Sequence, residues 1–374
     1  MLRTVHEIFY NNAGNLKNIS DDSIDFILTS PPYPMIEMWD SCFTEKDETI
    51  LKAITSGDGQ KAFQLMHRQL DSVWRECYRV LKPGSFTCIN IGDATRTVDK
   101  NFKLYSNHAR ILSYCEALGF EGLPVILWRK QTNAPNKFMG SGMFPAGAYV
   151  TLEHEYILVL RKGGKRYFNS ENMKMKRRES AFFWEERNTW FSDIWDLKGN
   201  RQDLSNSNTR NRSAAFPFEL AYRLINMYSV KEDTILDPFL GTGTTTLASI
   251  AAARNSIGYE IDRKLKETIL ATIKAGSKKI NKVISDRLTK HKIFVDDYTI
   301  KKGKPHYLNK HYGFHVVTRQ EENMLLNYVN EIRFDENDKI TVSYTGLPGL
   351  DNVVPPSLIK FDNMISDNNQ LLLL

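Results

Sequence analysis

Residues 234–245 read Thr234-Ile235-Leu236-Asp237-Pro238-Phe239-Leu240-Gly241-Thr242-Gly243-Thr244-Thr245. A short apolar run stops at Asp237-Pro238, two glycines follow, and a helical pattern takes over from Thr246 to Ala253. The stretch is therefore a strand, a tight turn and a helix. In an open α/β sheet such a turn lies over the carboxyl ends of the strands, where nucleoside cofactors bind. Gly241 and Gly243 let the backbone turn and let a ligand come close. No Lys-Ser/Thr pair follows, so this is not a P-loop, and Thr246 stands where a dinucleotide fingerprint needs its third glycine. The next strand, Ser256 to Tyr259, ends at Glu260, an acid placed to accept hydrogen bonds from both ribose hydroxyls.

The same alternation extends in both directions. Residues 24–29 form a β-rich run that ends at Ser30-Pro31-Pro32-Tyr33-Pro34, where the prolines stop any sheet ladder. Residues 35–59 read as an irregular polar insertion. Gln60 to Leu81 carries apolar residues at helical spacing, and Ser85 to Ile91 reads as a buried strand. A helix over Asn107 to Leu118, strands over Gly122 to Trp128 and Glu155 to Leu160, and a helix over residues 217–228 follow. Alternating βα units predict a doubly wound, mostly parallel sheet with helices on both faces. Residues 163–212 interrupt the rhythm: the span from Arg161 to Arg212 holds 13 Lys+Arg against 7 Asp+Glu, interleaved with aromatics. Such mixing is a nucleic-acid footprint. Four parts are expected: 1–162 with the proline loop, 163–212 for target recognition, 213–290 with the glycine loop, and a 291–374 extension containing a helix near 320–332 and a strand over Lys339 to Tyr344.

Composition sets the outer bounds. The 374 residues are 41% apolar and 25% charged, with a formal net charge of +6, which is ordinary for a globular chain and compatible with a nucleic-acid partner. The four cysteines show no metal-ligand or disulfide spacing, so no metal is expected and a reducing compartment fits. No apolar run is long enough for a membrane span.

Ser30-Pro31-Pro32-Tyr33 together with Asp237-Pro-Phe-x-Gly-x-Gly-Thr-Thr resembles the DNA amino-methyltransferases, which modify an exocyclic nitrogen using S-adenosyl-L-methionine. The order of the two motifs, with the basic segment between them, resembles the β group of restriction–modification systems. Glu76 to Gly84, His154 to Val159 and Trp190 to Trp195 fit further landmarks of that group. The resemblance spans roughly residues 5–275. It implies a Rossmann-like methyltransferase fold and catalysis by Ser30, Pro31, Pro32 and Tyr33, with the flipped base stacked on Tyr33. It implies cofactor binding by Asp237, Pro238, Phe239, Gly241, Gly243, Thr244 and Glu260, with Phe216 and Pro217 from an added cofactor-side motif. Asn12 stands in the segment where many relatives carry Gly-Asp. The Ser-Pro-Pro-Tyr form is associated with cytosine N4, leaving adenine N6 as the alternative; an inactive DNA-binding specificity module and an RNA or small-molecule methyltransferase are the others. The implied partner is double-stranded DNA in a prokaryotic cytoplasm, at the nucleoid; a cognate restriction endonuclease and the oligomeric state stay open. No cysteine follows a proline, so the covalent mechanism of cytosine-C5 enzymes is not expected.

Overall fold

The computed structural model describes residues 2–130, 139–199, 216–335, 339–345 and 360–363. Eleven strands form its main sheet: β1 (Arg3–Phe9), β2 (Ile24–Thr29), β3 (Leu81–Ile91), β4 (Phe120–Lys130), β5 (His154–Lys162), β6 (Ile194–Leu197), β7 (Thr234–Asp237), β8 (Asn255–Tyr259), β9 (Tyr328–Phe334), β10 (Ile340–Thr345) and β11 (Lys360–Asn363). Their spatial order is β6-β4-β5-β3-β2-β7-β8-β1-β10-β9-β11. The central five, β3-β2-β7-β8-β1, are parallel. The antiparallel strands β5 and β10 flank them.

Every residue of β2 is buried, as a central parallel strand covered on both faces requires. Its side chains feed opposite faces in turn. Phe26 and Leu28 join one core with Leu220, Ile225, Ala248 and Ile273, whereas Ile27 joins the other with Leu70, Trp74 and Ile111. The first face is built by α7 (Phe218–Tyr228), α8 (Thr244–Ala251) and α9 (Lys266–Lys302). The second rests on α3 (Gly59–Val80) and α4 (Asn107–Leu118). In α3 the residues Phe63, Met66, Leu70, Val73, Trp74, Cys77 and Val80 make one buried stripe, and the Asp58 side chain caps the Lys61 amide. The doubly wound sheet expected from the sequence is thus present.

Three expectations need correction. Residues 35–59 are not irregular: they contain α1 (Asp40–Thr44) and α2 (Glu48–Thr55), clamped by a bidentate Arg96–Asp40 pair at 2.8 and 2.7 Å. The segment after residue 162 also folds regularly, as α5 (Glu171–Glu179), α6 (Trp184–Trp190) and the edge strand β6. Its sequence shows no clean period because α5 has no buried residue and each helix spans under three turns. The extension is an integral part of the fold. α9 runs straight through the expected boundary at 290, and residues 328–334 form a strand where a helix was expected. β10 pairs antiparallel with β1, and Tyr344 is buried with its hydroxyl donating to the Ile250 carbonyl at 2.9 Å. The Asn281 side chain closes a two-way bond with the Val329 backbone at 2.9 and 2.8 Å. The extension covers what would otherwise be an exposed parallel edge at β1. Residues 200–212 and 371–374 lie outside the described residues.

Candidate active site

The parallel strands point one set of carboxyl ends to a common edge, and the residues expected to carry chemistry lie there: Ser30 after β2, Asp237 ending β7 and Glu260 after β8. Asp237 is the hub. It is 2% exposed; Oδ1 accepts from Thr29 Oγ1 at 2.7 Å and the Phe239 amide at 3.0 Å, and Oδ2 accepts from Thr245 Oγ1 at 2.5 Å. Its carboxylate therefore ties the strand that carries Ser30 to the glycine turn and to the first turn of α8. Burial outweighs these donors and pushes its pKa up to about 6. The sequence placed Asp237 in the cofactor set; both its oxygens are engaged inside the protein, so it positions the loop.

The turn itself is open. Gly241 has φ +56, and a Cβ there would meet no atom closer than 3.9 Å, so space remains over its backbone. Gly243 has φ +88 and packs beneath Ile269 and Ile273, where a Cβ would come to 3.2–3.3 Å. Glu260, nearly buried, receives the Gly241 amide on Oε2 and the Asp262 amide on Oε1, each at 2.9 Å, and burial raises its pKa. Each carboxylate oxygen keeps lone-pair capacity for a further donor. An acid beside an uncrowded positive-φ glycine suits a ribose diol, so these residues fit the nucleoside part of S-adenosyl-L-methionine. Pro238 is buried. Phe239 is half-buried and meets Trp74 edge-on at 6.0 Å, and Thr244 opens α8. Phe216 is buried in the core, and Pro217 caps the amino end of α7 on this same edge. Asn12 is exposed, in the turn that follows β1, and its Oδ1 accepts from the Gly14 amide at 2.9 Å.

On the other side of β2, Tyr33 sits in a polar network that the sequence did not reveal. Its hydroxyl donates to Glu155 Oε2 at 3.0 Å, receives Asn90 Nδ2 at 2.9 Å and lies 3.1 Å from Ser30 Oγ. Asn90 also donates to Glu155 Oε2 at 2.7 Å, and Lys130 pairs with Glu155 Oε1. Burial first, and then the Glu155 carboxylate, push the Tyr33 hydroxyl well above its ordinary pKa, so it stays protonated. Tyr33 is 3% exposed, with its ring on the bare backbone of Gly92, where a Cβ would come to 3.0 Å. A base can stack on that ring only after the residues that cover it move aside. The turn is held from behind by Asn107, which donates to the Pro34 and Gly92 carbonyls at 3.1 and 2.9 Å. A lone Asn within the apolar run Phe86 to Ile91, and a Glu opening the apolar run of β5, were the available signals for Asn90 and Glu155. His154 packs edge-on against Tyr156 at 4.9 Å, and Trp190 and Trp195 are buried, in line with structural roles.

The family model described as DNA methylase, of the N6/N4 type, matches residues 24–272. The chain belongs to the N6/N4 DNA methylase family. It is 48% identical over 345 residues to the type II methyltransferase M.MthZI of Methanothermobacter thermautotrophicus, covering 92% of this chain and 96% of that one. It is 46% identical over 290 residues to the type II methyltransferase M.MjaI of Methanocaldococcus jannaschii, covering 75% and 94%. A Thermus thermophilus protein described as a DNA modification methylase, solved with S-adenosyl-L-methionine, superposes with a TM-score of 0.57 at 28% identity, covering 72% and 94%. This DNA methylase thus has S-adenosyl-L-methionine as its cofactor and DNA as its substrate.

In this methylase the first part of the basic segment lies at the amino edge of the sheet. β5 runs antiparallel to β3, so Lys162 ends at the amino edge, where its Nζ meets Asp22 and the Tyr78 carbonyl, each at 2.7 Å. Arg166 then makes a bidentate pair with Asp233 at 2.6 and 2.8 Å, and Lys176 meets Glu232 at 2.8 Å. Two of the cations in residues 163–180 are thus paired at the end of the sheet opposite to Ser30. The chain regains the carboxyl edge only at Leu197, through the parallel pairing of β6 with β4.

Proposed function

We propose that this methylase transfers a methyl group to the exocyclic N4 of cytosine in duplex DNA, as the modification enzyme of a type II restriction–modification system. The observation that carries the base assignment is Ser30, whose neutral hydroxyl heads the proline loop 3.1 Å from Tyr33. The Ser-Pro-Pro-Tyr form resembles the cytosine-N4 variant of the family, and the likeness to two type II methyltransferases supports the biological setting. The target base leaves the duplex to reach the loop.

Its amine is a weak nucleophile because the nitrogen lone pair is delocalised into the ring. Ser30 Oγ and the Pro31 carbonyl, held by the rigid prolines, accept its hydrogens and favour a pyramidal nitrogen. Tyr33 supplies the stacking face. S-adenosyl-L-methionine, when bound, supplies a methyl group on a positively charged sulfur. Glu260 and the Gly241 backbone hold its nucleoside, and the Asp237–Thr29 bond fixes that site relative to Ser30, so catalysis is chiefly positioning. Ser30, Tyr33 and Glu155 form one hydrogen-bonded line, which gives the proton released from the amine a route toward the Glu155 carboxylate.

The test is to incubate the protein with unmethylated DNA and S-adenosyl-L-methionine, digest to nucleosides and analyse by mass spectrometry. N4-methylcytosine is expected. N6-methyladenine alone would overturn the base assignment and keep the fold and cofactor site.

A further inference from the structure

We propose that Met143 and Phe144, at the tip of the hairpin between β4 and β5, enter the DNA duplex as the target base leaves it. This rests on DNA methylation as the activity and holds for either amine.

Topology roots the hairpin at the edge of the sheet that carries the active site. β4 and β3 both run antiparallel to β5, so β4 ends at the carboxyl edge with Lys130 and β5 begins there with His154. The roots of the hairpin are therefore tied into the Tyr33 network: Lys130 pairs with Glu155, and its amide donates to the Glu153 carbonyl at 2.9 Å. Met139–Gly140 pairs antiparallel with Ala148–Tyr149, Ser141 donates its amide to the Gly147 carbonyl at 2.9 Å, and its Oγ donates to the Phe144 carbonyl at 2.7 Å. Gly140, at φ +68, leaves no room for a Cβ, which would fall 2.1 Å from the Gly147 oxygen. Tyr149 stacks on Phe102 at 4.8 Å, joining the hairpin to the neighbouring one over Ala94–Tyr105.

This closed turn presents Met143 at 86% and Phe144 at 78% exposure. Two adjacent large apolar side chains this exposed add nothing to the core and suit a surface that meets a partner. Residues 139–151 carry no charged side chain, so the tip is unsuited to grip phosphates. It suits the stacked interior of the duplex, where apolar side chains act as wedges between base steps. A flipped nucleotide leaves such a gap.

The experiment first locates the methylated sequence with the wild-type protein, then compares Phe144→Ala and the double variant Met143→Ala/Phe144→Ala on two duplexes carrying it. One is fully paired; the other holds the target base opposite an abasic position, so that it is already unpaired. S-adenosyl-L-methionine affinity is expected to stay within about twofold, and methylation of the paired duplex to fall by about 10- to 100-fold. On the unpaired target the rate should return to within a few-fold of wild type. An unchanged rate on the paired duplex, an equal loss on both duplexes, or a loss that tracks a change in sedimentation would each overturn the wedge. If the wild-type protein methylates no DNA, the activity reading itself falls and the wedge with it.

Discussion

The two edges of the central sheet carry similar side chains and use them differently. At the amino edge, Asp25 and Asp233 are buried against Lys82 and Arg166, with contacts of 2.6 Å to each cation. At the carboxyl edge, Asp237 and Glu260 are as deeply buried but are met by hydroxyls and backbone amides. Acids paired to fixed cations close a fold. Acids held by neutral donors can set a loop in place, as Asp237 does, or keep lone-pair capacity that a ligand can use, as Glu260 does. Glu155 combines the two modes, with Lys130 on one oxygen and Tyr33 and Asn90 on the other.

Substitutions at the two edges should therefore separate activity from stability. The largest effect is expected at Tyr33. Tyr33→Ala should lower turnover about 10³-fold with cofactor affinity nearly unchanged, whereas Tyr33→Phe, which keeps the ring and loses the hydroxyl, should cost about 10-fold. Equal losses in steady-state kinetics would remove the stacking role. At the amino edge, Asp233→Ala leaves the Arg166 guanidinium with the longer 3.6 Å contact to Asp25 and should cost about 3 kcal/mol in urea unfolding, with cofactor affinity of the folded fraction intact. A loss of affinity there would erase the contrast between the edges.

A smaller effect should appear in the pH dependence of Asp237. Its folded pKa lies above the ordinary aspartate value, so its contribution to stability is present at pH values below about 4 and is lost as pH rises through about 6. Asp237→Asn cannot ionise. Its stability relative to wild type should rise by on the order of 2 kcal/mol between pH 4 and pH 7, read by unfolding at each pH. A flat difference would mean that the carboxylate is not held in a desolvated site.

The central half of the molecule was legible because its signals are local. Prolines and glycines punctuate β2 and β7, and apolar spacing defines α3, α4 and α7. The polar network around Tyr33 was not legible: Asn90, Lys130 and Glu155 lie far apart along the chain and meet only through the antiparallel β3–β5–β4 ladder. The extension was misread for a related reason. Residues 328–334 take their strand conformation from pairing with β10, a tertiary contact that local pattern does not encode. The surplus charge of Arg161 to Arg212 suggested a DNA surface; carboxylates that neutralise part of it, Asp233 and Glu232, come from elsewhere in the sequence.

The edges can be compared in one measurement, because each exposes oxidisable side chains: Met143 and Phe144 on the carboxyl side, Tyr167 and Met175 in the segment that follows β5 at the amino side. Hydroxyl-radical footprinting of the protein with and without cognate duplex should show protection at Met143, Phe144 and Tyr149 and unchanged oxidation at Tyr167 and Met175. Protection of Tyr167 and Met175 alone would place DNA at the amino edge and contradict the assignment of the active site.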